Sequence, residues 1–156
     1  MPVWPSGLPI SPEVDLYGLS GGWHSEDVDP VAGQGSAFHV EHGFYIDAVG
    51  ALTAVVPPDW RVRAKKMVVD VYGRPVTALI LGPNDLALSK YVAWREKDRI
   101  FTAGLAKLGL ADRETLLHLA ETMEPVLARA TERGEFVVPT IRDLKARIEA
   151  DFHATN

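Results

Sequence analysis

The chain has 156 residues, 47% hydrophobic and 24% charged, the length and composition of one ordinary globular domain able to bury a core. It contains no cysteine, which excludes disulfides, thiolate metal sites and zinc fingers and fits a reducing cytoplasm. The formal net charge of −5 argues against a sequence-independent nucleic-acid binder, no apolar run is long enough to cross a bilayer, and residues 1–7 lack the basic-then-apolar order of a signal peptide.

Up to about Leu81 the chain is rich in Gly, Pro and β-branched residues. Residues 8–17 read as a strand, with Pro9 and Pro12 placing it at an edge or delaying its start. Residues 18–22 form a turn-rich loop, and residues 25–31 a short helix with Ser25 as its cap. Gly35-Ser36 before His39-Val40-Glu41-His42, and Gly43 after it, indicate a short helical turn. Residues 43–49 alternate as a second strand, with Phe44, Ile46 and Ala48 on one face and Tyr45, Asp47 and Val49 on the other. Residues 57–60 mark a turn or a helical start. The run Arg61-Val62-Arg63-Ala64-Lys65-Lys66 is a basic patch of the kind that ordinarily forms a solvated turn. Residues 66–72 and 76–81 make a hairpin around Gly73-Arg74-Pro75.

From about Pro83 the residues turn to Leu, Ala, Arg and Glu at helical spacing. Pro83 opens a helix running to about Arg95, with Asp85 near its positive dipole end. Asp98 is placed to cap the next helix, which Gly109 ends, and Asp112 to cap a third that carries Leu116, Leu117, Ala120 and Met123. Thr140 and Asp143 resemble a capping pair ahead of a stripe of Ile141, Leu144, Ile148 and Phe152. Strands first and helices later predict an α+β fold: a mixed sheet core over 1–81 and a helical part over 82–156, within one domain spanning 1–156.

The chemistry-bearing feature is Glu13-Val14-Asp15-Leu16. Residues two apart on a strand share a face, so Glu13 and Asp15 stand together and Val14 and Leu16 point to the opposite, buried face. Paired carboxylates repel unless a cation or a hydrogen-bond donor lies between them, and Mg²⁺ is a hard cation that takes such oxygens together with substrate phosphates. If the two strands pair, Asp47 becomes a third acid, as in a two-metal site for displacement at phosphorus. Half-solvated strands also carry scattered acids with no ligand. His39, His42 and Asp47 form a second metal-ligand set, although spacing fixes no third ligand there. There is no Gly-x-Ser-x-Gly elbow and no Walker-type loop.

Ser11-Pro12-Glu13-Val14-Asp15-Leu16-Tyr17 resembles the acid-x-acid strand of the nucleotidyltransferase superfamily. Phe38-His39-x-x-His42-Gly43-Phe44-Tyr45-x-Asp47, Thr53-Ala54-x-x-Pro57-x-x-Trp60 and Pro83-x-Asp85-Leu86-Ala87-x-Ser89-Lys90-x-x-Ala93-x-Arg95-x-Lys97-Asp98 follow at fitting distances. Together they are similar to bacterial nucleotidyltransferase-like proteins related to the AbiEii-type toxins of type IV toxin–antitoxin systems, over most of the chain from Ser11 to about Leu117. The resemblance implies Mg²⁺ held by Glu13, Asp15 and Asp47, Lys90 near the phosphates of an NTP, and a second polar cluster at Lys97 and Asp98. An RNA or protein acceptor and a homo-oligomer are candidate partners, in the cytoplasmic setting that the lack of cysteine fits. On one continuous helix, Lys90 and Lys97 would share a face with Leu86 and Ala93.

Two departures stand out. Active members carry a Gly-Ser or Gly-Gly turn about ten residues before the first acid, a backbone cradle for phosphate. Here only twelve residues precede Glu13, and Ser6-Gly7 lies too close, flanked by Pro5 and Pro9. The first acid is Glu where Asp is usual, which moves the metal. The sequence therefore leaves open a late start of the chain, a catalytically degenerate binding or assembly module, and a different ligand at the acid face.

Overall fold

The computed structural model describes residues 12–19, 25–50, 53–71, 73–134 and 137–154, which form an α+β fold. The chain divides into two compact units between Ala54 and Val55. The first unit runs β1 (Glu13–Leu16), α1 (Ser25–Ala32), α2 (Ala37–His42) and β2 (Tyr45–Ala48). β1 and β2 are parallel partners, a pairing that needs a long crossover, and α1 and α2 supply it. α2 follows from local chemistry at both ends. The Ser36 hydroxyl accepts the His39 N–H, and Gly43 at φ 75° lets its own N–H return to the His39 carbonyl. Both helices pack on β2. Val14, expected on a buried face, is 46% exposed, while Leu16 is half-buried. Residues 8–11 and the Ser6-Gly7 pair lie outside the described residues.

The second unit holds α3 (Trp60–Arg63), β3 (Lys65–Val71), β4 (Arg74–Ile80), α4 (Pro83–Ala93), α5 (Glu96–Lys107), α6 (Arg113–Glu121), α7 (Glu124–Arg133) and α8 (Ile141–His153). β3 and β4 are an antiparallel hairpin in which Val71 faces Arg74 and Asp70 faces Pro75. Arg74 and Pro75 thus belong to the strand and not to the turn. Gly73 makes the reversal at φ 78°, donating its N–H to the Asp70 carboxylate. Arg63 also departs from a solvated basic turn. Its guanidinium grips the buried Asp85 carboxylate through Nη2 at 2.6 Å and Nε at 3.1 Å, and Nη2 reaches the Pro58 carbonyl.

The core lies among α4, α5, α6, α7 and α8, where Leu88, Tyr91, Leu116, Met123, Leu144 and Ile148 are fully buried. Asp112 caps α6 by accepting the Thr115 N–H, and Thr140 and Asp143 bond reciprocally at the start of α8. The third expected helix divides at residues 122–123, and Pro125, which lacks an N–H, sits in the first turn of α7. The helix opened by Pro83 stops at Ala93 because Trp94 adopts φ 53°, a left-handed conformation rare for so bulky a residue. Asp98 is consequently not an N-cap. It is the third residue of α5 and accepts the Arg95 N–H.

Candidate functional site

In the first unit the strand register decides the geometry. Glu13 lies opposite Tyr45, and Asp15 lies opposite Asp47. Alternate residues share a face, so Glu13, Asp15, Tyr45 and Asp47 occupy one side of the two strands. One carboxylate oxygen from each of Glu13, Asp15 and Asp47 lies within 4.8 Å of the others. Glu13 and Asp47 are half-buried and Asp15 is exposed. These are the three acids whose convergence depended on the strands pairing. Among the described residues they are the one convergent set of three metal-ligating side chains, and His39 and His42 do not join it.

The two histidines are placed for other contacts. His39 Nδ1 accepts the Gly35 N–H at 3.0 Å, which requires the proton of a neutral ring on Nε2. Gly35 reaches it from φ 85°, a conformation suited to glycine. The His39 ring meets the edge of Tyr45 at 5.2 Å between centroids. His42 packs against Phe38 and Phe44. Tyr45 in turn donates its hydroxyl to Glu13 Oε2 at 3.3 Å. Burial, then the charge and hydrogen bond of Glu13, then the charges of Asp47 and Asp15 hold the Tyr45 phenol above its ordinary pKa. Tyr45 was absent from the residues expected at this site. Its parity with Asp47 along β2 was the available signal.

In the second unit Lys90 belongs to α4 and Lys97 to α5. The break at Trp94 means that no continuous helix carries both, so their seven-residue spacing does not put them on one face. Lys90 is 26% exposed and its Nζ lies 3.9 Å from Asp98 Oδ1, while Lys97 is exposed. Asp98 is 2% exposed and also receives the Arg95 guanidinium at 2.7 Å. Burial pushes the Asp98 carboxyl up, but the hydrogen bonds and charge of Arg95, with the charge of Lys90, outweigh it and hold the group below its ordinary range. Trp94 stacks on Tyr91, and the Arg99 and Arg147 guanidinium carbons lie 5.8 and 4.8 Å from its ring centroid.

The donor set at the acid face suits a hard divalent cation. Three carboxylates offer oxygen only, and oxygens at neighbouring positions around Mg²⁺ stand about 3 Å apart, within rotamer adjustment of the observed spacing. Residues 21–138, more than half of the chain, match the family described as a nucleotidyltransferase of unknown function (DUF6036). The matched segment contains Asp47, Lys90, Lys97 and Asp98 and begins after Glu13 and Asp15. No curated protein and no solved structure matches the chain.

Proposed function

Because the chain belongs to this nucleotidyltransferase family, we propose that its acid face serves nucleotidyl transfer from an NTP. The convergence of Glu13, Asp15 and Asp47 within 4.8 Å carries the reading. In the step, an acceptor oxygen bonds to the α-phosphorus as the bond to the α–β bridging oxygen breaks. The nucleotidyl group remains on the acceptor, pyrophosphate leaves, and the acceptor's proton passes to a carboxylate of the acid face and on to solvent. Glu13, Asp15 and Asp47 would hold Mg²⁺, which when bound supplies charge neutralisation at the phosphates. Such catalysis consists mainly of positioning and electrostatic stabilisation. The resemblance of the Asp-Leu-Ala-x-Ser-Lys segment implies a phosphate-binding role for Lys90 and a second polar cluster at Lys97 and Asp98. The same resemblance alone supports a toxin–antitoxin or defence setting.

The test is calorimetry of Mg²⁺ and NTP binding to the intact chain, with Asp15→Ala as control. Binding that disappears in the variant is expected. An intact protein that binds neither would leave a non-catalytic module as the reading of this fold.

A further inference from the structure

The acid face has four corners, and only three of them are acids. The register that sets Asp15 against Asp47 also sets Glu13 against Tyr45, so a phenol occupies the fourth. Of those four side chains Tyr45 alone is a neutral donor, and its hydroxyl reaches Glu13 Oε2 at 3.3 Å. That distance exceeds the usual hydroxyl–carboxylate contact, and such bonds tighten when the ligand they serve is in place. The Glu13 side chain has one more torsion than Asp15 or Asp47, so its carboxylate has more rotamers among which a hydrogen bond can select. Tyr45 is itself held by the His39 ring at 5.2 Å, and that ring is fixed by the Gly35 N–H.

Resting on the nucleotidyl-transfer reading, we infer that Tyr45 is a positioning residue that fixes the rotamer of Glu13 for a divalent cation, with His39 as the support of its ring. The fourth corner thereby compensates for a glutamate at the first acid position. The opposite role makes an opposite prediction. If Tyr45 merely relieved repulsion among the carboxylates, its hydroxyl would compete with the cation, and removing it would tighten binding.

The experiment is Mn²⁺ binding to the full chain, read from the free-ion electron paramagnetic resonance signal, with circular dichroism to verify folding. Loss of a hydrogen-bond partner behind a metal ligand typically weakens metal affinity about 10–100-fold, and that is the range expected for Tyr45→Phe. In a Glu13→Asp background the shorter arm no longer reaches the phenol, so the same substitution should change affinity by less than about twofold, the ordinary limit of non-additivity for uncoupled sites. His39→Ala keeps the hydroxyl and removes the ring support, and should weaken Mn²⁺ binding without abolishing it, whether or not Tyr45→Phe folds. Unchanged or tighter binding by Tyr45→Phe, or an equal loss in both backgrounds, overturns the positioning role and leaves the metal reading intact. No Mn²⁺ binding by the natural chain, or full binding by an Asp15→Asn control, overturns both.

Discussion

Asp15→Asn should change the sign of its effect on stability when a cation is added. The substitution removes one of three negative groups whose oxygens lie within 4.8 Å. Two unit charges at 4.8 Å repel by about 0.9 kcal/mol in water, and physiological salt cuts this to roughly half. Asp15 takes part in two such pairs, and relief of these two repulsions should contribute about 1 kcal/mol to the cation-free first unit. With Mg²⁺ at 100 times its dissociation constant, the natural chain should gain about 2.7 kcal/mol that the variant does not. The variant is therefore more stable in EDTA and less stable, by about 1–2 kcal/mol, in Mg²⁺. Native-state amide exchange at Tyr45–Ala48 reads the unit that carries the acids, separately from the helical unit. Equal protection of both proteins by Mg²⁺, or a variant less stable in EDTA, would refute the reasoning.

Two predictions concern the second unit. Asp98 has a folded pKa below its ordinary value, so its contribution to stability is complete above about pH 4 and is lost as pH falls through the folded pKa. Acid titration of the helical unit should show that loss, and Asp98→Asn should flatten it while lowering stability at neutral pH. Leu144 is fully buried on α8, and Leu144→Ala should cost about 2–5 kcal/mol in urea unfolding followed by far-ultraviolet dichroism.

The parts readable from sequence were those with a local physical signal. Thr140 with Asp143, and the stripe from Ile141 to Phe152, define α8 because capping and helical periodicity act within a few residues. The alternation around Asp47 placed it on the polar face of β2 for the same reason. The parallel register that joins Asp47 to Asp15 depends on packing of the crossover, and it could be written only as a condition. Trp94 gave no warning, since the left-handed region favours glycine and an indole is the last side chain expected there. Its stacking on Tyr91 and the two guanidiniums around its ring account for its place better than backbone preference does. A polar residue at the start of a helical run usually caps it, and Asp98 does so from the third position of α5 by accepting the Arg95 N–H. Its contact with Arg95 is local, three residues apart, whereas the approach of Lys90 from α4 depends on how the two helices pack.

The parallel pairing of β1 and β2 has a topological consequence. Two carboxylates reside on one strand, and the third arrives only after the chain has travelled through two helices; Glu13 and Tyr45, opposite each other, are 32 positions apart. An ion held by all three would act as a clasp on that long excursion, with the entropy of closing the loop subtracted from its apparent affinity. Substitutions deep in α1 or α2, remote from any oxygen, should therefore register as weakened ion uptake, and a titration with Mn²⁺ would report how completely the excursion has closed.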